Sequence, residues 1–271
     1  MKAIFVEGIR RIRPAPLASA LAHITGLNRR ESVHTEHGTF FVSAISQLGF
    51  HLRHGEYEAA TTAVLRKCLT PGAVFVDLGA NEGYFTVLAS RLVGPQGIVI
   101  AVEPQSRLQS VIRANLEANN CRNVRLVKAV VSSKTQRVNL ALTTAINNGA
   151  SSLFKSTKYP LPREEVQSFT LGDLFASIEV KRCDLMKMDI EGAEYDALTG
   201  AEEVLKRGII RHMTIEVHDS ILERRGLSWS QPHDMILKCG YRANDNRDRK
   251  VYSFAGNVKP SIGFHEMSQV H

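Results

Sequence analysis

Short apolar runs alternate with amphipathic stretches along the chain from Val74 onward. The apolar runs predict a strand that begins at Val74 and further strands at 99–103, 124–131, 185–190 and 209–217. Residues between them, such as Phe85, Leu88 and Leu92, recur at helical spacing. Strands that are apolar almost throughout are typical of a parallel sheet buried on both faces. The alternation therefore predicts an α/β fold, with a mostly parallel sheet and helices on both of its faces.

The first part of the chain follows a different pattern. Residues 1–32 are basic and show only weak helical spacing, which predicts an N-terminal extension or cap before one catalytic domain over 33–271. Residues 33–46 alternate between apolar and polar and predict a hairpin that turns at His37 and Gly38. Helical spacing follows over 57–69 and predicts a helix that leads into the first core strand.

The last part of the chain predicts a helix and a closing hairpin. Ser230 is a plausible N-cap, and apolar positions continue at helical spacing to residue 239. Residues 241–243 and 251–254, separated by a polar turn, predict a hairpin at the sheet edge. Residues 143–162 are polar and without period, and a loop of this length inside a domain is either functional or disordered. We expect this loop to cover the substrate.

Composition sets only broad limits. The chain has 271 residues, 44% of them hydrophobic, and a formal net charge of +7, which fits an anionic substrate, a lipid surface or nucleic acid about equally well. The four cysteines are far apart and form no Cys-x-x-Cys pair. No secretion signal and no run of ~20 apolar residues is recognisable. These features predict a cytoplasmic protein without a transmembrane segment.

The turn after the first core strand carries the strongest chemical signal. Asp77 is followed by Gly79, Asn81 and Gly83, and then by an amphipathic helix. Glu103 ends the next strand, where a carboxylate can accept hydrogen bonds from both hydroxyls of a ribose. This combination predicts the binding site of a nucleoside cofactor, whereas either glycine alone would indicate only a tight turn.

The charge of this site favours a cationic cofactor. Asp77, Glu103 and Asp189 each end a strand and should meet at one edge of the sheet. Carboxylates repel the pyrophosphate of a dinucleotide and attract a sulfonium or an ammonium group. The spacing also departs from Gly-x-Gly-x-x-Gly, because Asn81 stands where a dinucleotide site needs its second glycine.

Several segments resemble a known family. Residues 74–85, 101–104 and 185–194, followed by 215–218, are similar to the FkbM family of S-adenosylmethionine-dependent methyltransferases. The Asp-Ile-Glu-Gly-Ala-Glu sequence at 189–194 is the most specific part of the likeness. The resemblance implies a Rossmann-like class I methyltransferase, with seven strands of which the last is antiparallel, and methyl transfer from S-adenosyl-L-methionine to a hydroxyl oxygen.

The resemblance also implies roles for individual residues. Glu103 matches the acid that binds the ribose. Tyr84, the first helical residue, either lies near the donor or packs in the core. The other residues matched to the donor site are Asp77, Gly79, Ala80, Asn81, Gly83, Pro104, Ala129, Val130 and Asp189.

The fourth and fifth strands supply candidates for the reaction itself. Methyl transfer from a sulfonium requires an aligned acceptor oxygen and a group that takes its proton. Asp189 is a candidate for a contact to donor or acceptor, whereas Glu191 is expected to cap the next helix and Glu194 to lie on a solvated face. His218 has a suitable intrinsic pKa for a general base. Glu216 should point to the same side of its strand as His218.

A divalent metal ion is compatible with this sequence but not predicted by it. Asp189, Glu191 and Glu216 are hard oxygen ligands, yet no recognisable metal-binding loop surrounds them. The metal therefore remains open. The acceptor is expected to be a small molecule, a sugar or a glycolipid, and a homodimer is possible.

Two alternatives remain open. The first is a nucleic-acid methyltransferase, which the basic charge favours, although no Asn-Pro-Pro-Tyr-like segment follows the fourth strand. The second is a non-catalytic S-adenosylmethionine-binding module.

Overall fold

The computed structural model describes residues 2–12, 15–55, 57–143, 151, 153–154, 162–244 and 251–256. Its helices are α1 (Lys2–Arg11), α2 (Ala15–Ile24), α3 (Gln47–His54), α4 (Ala59–Cys68), α5 (Tyr84–Val93), α6 (Ser106–Ala118), α7 (Leu171–Ser177), α8 (Glu194–Thr199), α9 (Glu202–Lys206), α10 (Asp219–Arg224) and α11 (Ser230–Lys238). Its strands are β1 (Arg30–Thr35), β2 (Gly38–Ser43), β3 (Val74–Leu78), β4 (Ile98–Val102), β5 (Val124–Val127), β6 (Val130–Val131), β7 (Gln136–Ala141), β8 (Arg163–Phe169), β9 (Cys183–Met188), β10 (Ile210–Glu216), β11 (Tyr241–Ala243) and β12 (Val251–Gly256). None of these helices is long and apolar enough to cross a membrane.

The central sheet has seven strands in the order β5-β4-β3-β9-β10-β12-β11. The pairs from β5 to β10 are parallel, and β12 is antiparallel to both of its neighbours. The predicted α/β fold with one antiparallel final strand is thus confirmed. The chain order reverses between β3 and β9, and ligands of open α/β sheets bind at such a switch point.

Alternate side chains of the central strands enter two different cores. Phe75, Val99 and Leu185 pack with residues of α4 and α5 on one face of the sheet. Val76 and Met186 pack on the other face with residues of α7, α8, α9 and α11. Because successive side chains of a strand point to opposite faces, this separation means that helices cover both faces, as the apolar runs predict.

β5 is shorter than the strand predicted from the sequence. The run 124–131 was expected to be one strand, but β5 ends at Val127 and β6 leaves the central sheet. β6 pairs with β8, and β8 pairs with β7, in a separate three-stranded sheet. Hydrophobicity alone cannot reveal this change of partner, because both sheets bury the same kind of side chain.

The N-terminal segments are packed against the domain. β1 and β2 form the predicted hairpin, with Thr35 paired to Gly38 across the turn. α1 and α2 pack around Ile45, which follows β2. The division into 1–32 and 33–271 stays a prediction, but β1 already begins at Arg30, so a boundary would have to precede that strand. α11 begins one residue earlier than predicted, with Trp229 in the cap position.

Candidate functional site

The turn after β3 places the ends of three strands in contact. Gly79 has a φ of 80°, and a Cβ on it would lie 1.8 Å from the carbonyl oxygen of Asp189. The N–H groups of Gly79 and Ala80 both donate to the carbonyl of Val102 at 3.0 Å. Only glycine fits here, because both its conformation and this contact exclude a side chain. The turn therefore joins β3, β4 and β9 at one edge of the sheet.

A cavity with about 580 Å³ of empty space, part of it open to solvent, lies beyond these strand ends. We call it the strand-end cavity. Its lining consists of Leu78, Gly79, Asn81, Val102, Glu103, Pro104, Gln105, Ala129, Val130, Val131, Ser151, Leu153, Asp189, Ile190, Glu191 and Ala193. Predicted donor residues from four separate parts of the chain thus line one cavity.

Glu103 is held rigidly at the wall of this cavity. Its Oε2 accepts the N–H of Asn81 at 2.9 Å, and its Oε1 accepts the N–H of Gln105 at 3.0 Å. Burial raises the pKa of Glu103 to about 7, against the opposing effect of these hydrogen bonds. Each carboxylate oxygen retains a lone pair for a further donor. This arrangement suits a ligand with two adjacent hydroxyls.

Asn81 provides an unused polar atom at the same place. Its backbone lies in the left-handed region at φ 51°, which asparagine tolerates better than most residues. Its Oδ1 is buried and has no hydrogen-bond partner within the described residues. Because a buried acceptor without a donor is costly, the atom fits a site that a polar ligand completes.

Part of the polar segment 143–162 lies against the cavity. Ser151 and Leu153 belong to the lining, and Ser151 Oγ donates to Oε1 of Gln105 at 3.0 Å. The guanidinium carbon of Arg225 lies 3.4 Å from the ring centroid of Phe154. Most of the predicted covering loop falls outside the described residues, so its role stays a prediction.

Asp77 does not line the strand-end cavity. Its side chain is fully buried, and its Oδ2 accepts the Thr86 hydroxyl at 2.6 Å. Its Oδ1 lies 3.5 Å from Nζ of Lys187. A direct contact between Asp77 and the donor does not fit this geometry. The side chain instead belongs to a buried ion-pair network beneath the turn.

Three other predicted donor residues also lie outside the lining. Ala80 packs against Ala101 and Ile112, and Gly83 has a φ of 85° where α5 begins. Tyr84 contacts Phe40, Tyr57 and Phe85 in an aromatic cluster, which favours the packing interpretation without excluding a place near the donor. Ala80 and Tyr84 instead line a smaller adjoining cavity, whose wall also contains Gly79, Asn81, Lys187 and Asp189. We call it the inner cavity.

Lys187 is a residue of the inner cavity that the sequence analysis did not identify. Its ammonium lies 3.5 Å from both Asp77 Oδ1 and Asp189 Oδ2, and it donates to the carbonyl of Gly79 at 3.2 Å. Burial alone would lower the pKa of Lys187, but the charges of Asp189 and Asp77 raise it above its usual value. The available signal was a lysine within an otherwise apolar, buried strand, which is rare unless the charge is paired.

Glu194 was predicted to lie on a solvated face, but its side chain is completely buried. Its carboxylate accepts the N–H of Ile190 at 3.1 Å and the N–H of Gly192 at 3.0 and 3.2 Å. Glu191 also differs from its prediction, because it does not cap α8. Its backbone is left-handed at φ 54°, and Ala193 precedes α8 in the cap position. Glu194 therefore fastens the turn that follows β9.

His218 lies among carboxylates. Its Nδ1 is 3.0 Å from Glu194 Oε1, and its Nε2 is 3.5 Å from Glu191 Oε2 and 3.9 Å from Asp189 Oδ1. Burial alone would lower the pKa of His218, but the hydrogen bond and charge of Glu194, with those of Glu191 and Asp189, raise it to about 9. A histidine that is protonated at neutral pH cannot accept a proton, so this raised pKa does not favour the role of general base, which stays a prediction.

Glu216 is better suited to accept a proton. Carboxylate oxygens of Glu58, Asp189 and Glu216 lie within 4.8 Å of one another. Burial and the charges of Asp189 and Glu58 raise the pKa of Glu216 to about 7. Burial and Asp189 also raise the pKa of Glu58, against the charge of Lys187. A carboxylate with a pKa near the working pH is the kind of group that serves general base catalysis.

Potential metal ligands occur in two groups of the described residues. One combines Asp189, Glu194 and His218, and the other combines Glu58, Asp189 and Glu216. In the first group, the Glu194 oxygens already accept backbone N–H groups. In the second, Lys187 already contributes positive charge. We therefore assign no metal ligands.

A family model described as the methyltransferase FkbM domain matches residues 77–243. The chain belongs to the FkbM methyltransferase family. The resemblance seen in the sequence is thus confirmed, and the predicted S-adenosylmethionine cofactor agrees with this membership. The match includes the cavity residues from β3, β4 and β9 as well as Glu216 and His218 of this FkbM domain.

Two curated proteins are similar to this FkbM chain. "Methyltransferase 1" of Beauveria bassiana (strain ARSEF 2860) is 28% identical over 163 residues, covering 54% of this chain and 64% of that protein. "Probable cobalt-precorrin-6B C(15)-methyltransferase (decarboxylating)" of Sulfolobus acidocaldarius is 30% identical over 96 residues, covering 35% of this chain and 50% of that protein. The chain thus spans between half and two thirds of the length of these relatives.

Among solved structures, methyltransferase FkbM from Methylobacillus flagellatus KT aligns with a TM-score of 0.44 and 16% identity. The alignment covers 78% of this chain and 52% of that chain.

Proposed function

We propose that this chain is an S-adenosylmethionine-dependent O-methyltransferase that acts on a hydroxyl of a small molecule, a sugar or a glycolipid. The observation that carries the proposal is the position of Glu216. Glu216 lines neither cavity, but a carboxylate oxygen of it lies within 4.8 Å of one of Asp189, which lines both. Burial and the charges of Asp189 and Glu58 raise the pKa of Glu216 to about 7. A hydroxyl must lose its proton as it accepts a methyl group, and this carboxylate can take it.

The strand-end cavity fits the proposed donor. Glu103 can accept hydrogen bonds from both ribose hydroxyls, and the apolar lining at Pro104, Ala129 and Val130 suits the adenine ring. Asp189 and Glu191 present negative charge to the cationic end of the donor. S-adenosylmethionine, when bound, supplies a methyl group on a positively charged sulfur.

The chain's own residues would then orient the acceptor and remove its proton. Asp189 lines both the strand-end and the inner cavity, so it can hold an acceptor hydroxyl where the two cavities meet. Glu216 accepts the hydroxyl proton, and positioning of the acceptor contributes the remaining acceleration. His218 stays protonated and stabilises the surrounding carboxylates.

The experiment combines donor binding with methyl transfer. The protein is incubated with labelled donor and with monosaccharides, glycolipids and a fractionated cell extract, and the labelled product is identified. We expect Glu216→Gln to bind S-adenosylhomocysteine as the wild type does, while methyl transfer falls on the order of 10²- to 10⁴-fold. The control Glu202→Gln, which removes an exposed pair with Lys206, should keep full activity.

Three outcomes would contradict the proposal. A wild type that binds no S-adenosylhomocysteine would exclude donor binding. Methyl transfer by Glu216→Gln at the wild-type rate would exclude the role of Glu216 as base. Label in RNA or DNA, with binding that weakens steeply as salt rises, would favour a nucleic-acid methyltransferase instead.

A further inference from the structure

We infer that Glu194 and His218 form a positioning pair that holds the turn 189–192 in the shape required for donor binding. This inference rests on the proposed function, because it takes the strand-end cavity as the donor site. Neither side chain is among the lining of that cavity. Both therefore act through the residues of the turn.

The turn has a backbone shape that needs external support. Glu191 and Gly192 are consecutive left-handed residues, with φ values of 54° and 93°. A left-handed conformation is unfavourable for a residue with a side chain, so Glu191 adopts it only where its surroundings enforce it. The same turn sets the positions of Asp189, Ile190 and Glu191 at the cavity wall.

The buried carboxylate of Glu194 supports this backbone shape through hydrogen bonds. Its carboxylate receives the N–H groups on both sides of Glu191, those of Ile190 and Gly192. Hydrogen bonds from backbone N–H groups to a carboxylate are stronger than those between neutral groups. Replacing the carboxylate by an amide would weaken these hydrogen bonds, because only one neutral acceptor oxygen remains, and let the turn relax.

His218 connects the same carboxylate to the side chains of the turn. One ring nitrogen donates to Glu194, and the other faces Glu191 and Asp189. The titratable groups near the ring among the described residues are Glu194 from α8, Glu191 and Asp189 from the turn, and Glu216 at the end of β10. The imidazolium reduces repulsion among these carboxylates and holds Glu191 and Asp189 on the side of the cavity.

Other contacts fix the remainder of the turn, so the loss of the pair should be a local event. Arg225 donates to the carbonyl of Gly192 at 2.9 Å and pairs with Asp196. A Cβ on Gly192 would lie 2.5 Å from Cγ2 of Ile221, so the turn is packed against α10. These contacts should preserve the fold when Glu194 or His218 is changed.

The test measures binding of S-adenosylhomocysteine by calorimetry in the wild type, Glu194→Gln and His218→Gln. We expect affinity to fall about tenfold or more in Glu194→Gln and by a smaller factor in His218→Gln, because each variant loses hydrogen bonds to a charged group. Hydrogen–deuterium exchange should show faster exchange of the amides of 190–192 in Glu194→Gln. A merely structural role in the core would not accelerate these amides selectively.

The matched control is Asp184→Asn. Asp184 is also a carboxylate that accepts a backbone N–H, from Val74 at 2.8 Å, but it lies at the opposite end of β9. Its variant should retain wild-type affinity and wild-type exchange at 190–192. If Glu194→Gln does not fold, the partly exposed His218 keeps the test informative.

The pH dependence gives a further readout. Affinity of the wild type should decline as pH rises through about 9, where His218 loses its proton. The amine of S-adenosylhomocysteine also titrates at alkaline pH, so the affinities of wild type and His218→Gln are compared at each pH. The difference between these affinities should disappear above about pH 9. Wild-type affinity in both variants would overturn the inference while leaving the proposed function intact. A wild type that binds no S-adenosylhomocysteine would overturn both.

Discussion

Lys187 joins the first and fourth parallel strands by standing between two carboxylates, with its ammonium 3.5 Å from Asp77 Oδ1. Asp77 is fully buried, and only 6% of the Lys187 side chain is exposed. Charges this deep are tolerated only when they are paired. The pair therefore explains why an aspartate can occupy β3, and it gives Asp77 a structural role beneath the turn that follows this strand.

We expect Lys187→Met to destabilise the protein by about 3 to 5 kcal/mol, because it leaves Asp77 buried without its cation. Urea denaturation would measure this loss. The double variant Lys187→Met/Asp77→Asn should recover part of it, since the uncompensated charge is then gone. If the double variant loses as much free energy of unfolding as the two single variants together, the two side chains are not coupled.

Glu103→Gln should separate stability from donor binding. The folded state raises the pKa of Glu103 from 4.5 to about 7, so it favours the protonated form. In the wild type, stability should therefore fall as pH rises from about 4.5 to 7, by on the order of 3 kcal/mol for this group. The glutamine variant cannot ionise and should lack this part of the pH dependence.

Denaturation of both proteins at pH 4.5, 6 and 8 would measure the difference. Affinity for S-adenosylhomocysteine should meanwhile fall about a hundredfold in Glu103→Gln, because two ribose hydroxyls lose a charged acceptor. If the free energy of unfolding changes with pH in the same way in both proteins, Glu103 ionises normally in the folded state. Retained affinity would exclude its role at the ribose.

The sequence predicted the parts of this site that depend on backbone pattern. Apolar runs located β3, β4, β9 and β10, and the carboxyl ends of parallel strands necessarily share one edge of a sheet. That rule correctly placed Glu103 and Asp189 at one cavity. It placed Asp77 there as well, because a strand pattern does not reveal whether a carboxylate faces solvent or a lysine on the next strand.

The differences between the sequence predictions and the structure lie in side-chain contacts and in strand pairing. Glu194 begins a helix and looks like a surface acid, but the left-handed turn before it directs two N–H groups and His218 towards its carboxylate. The pKa of His218 follows from three carboxylates on two segments. The pairing of β6 with β8 spans a long connection. None of these contacts leaves a periodic signal in the sequence.

Gly79→Ala should disrupt the turn after β3. The added Cβ would lie 1.8 Å from the carbonyl oxygen of Asp189, and the φ of 80° is unfavourable for alanine. We expect the free energy of unfolding to fall by several kcal/mol, with no measurable binding of S-adenosylhomocysteine.

Gly72→Ala is the control, because Gly72 also has a positive φ of 83° but no described atom lies within 4 Å of an added Cβ. It should cost only about 1 kcal/mol and leave binding unchanged. Equal effects in the two variants would mean that the contact with Asp189 is unimportant.

The N-terminal hairpin should contribute to donor binding through Arg30. Its guanidinium lies 3.3 Å from both oxygens of Glu82, whose side chain is 1% exposed and which follows Asn81 in the turn after β3. Arg30→Met removes the cation from a buried carboxylate, and we expect a loss of about 2 to 3 kcal/mol in the free energy of unfolding together with weaker binding of S-adenosylhomocysteine.

The control Arg53→Met breaks an ion pair of the neighbouring helix α3 with Glu31, whose side chain is 74% exposed. Exposed pairs contribute at most about 1 kcal/mol, so this variant should bind as the wild type does. Urea denaturation and calorimetry on the same samples would measure both quantities. Wild-type binding by a destabilised Arg30→Met would restrict the hairpin to a structural role.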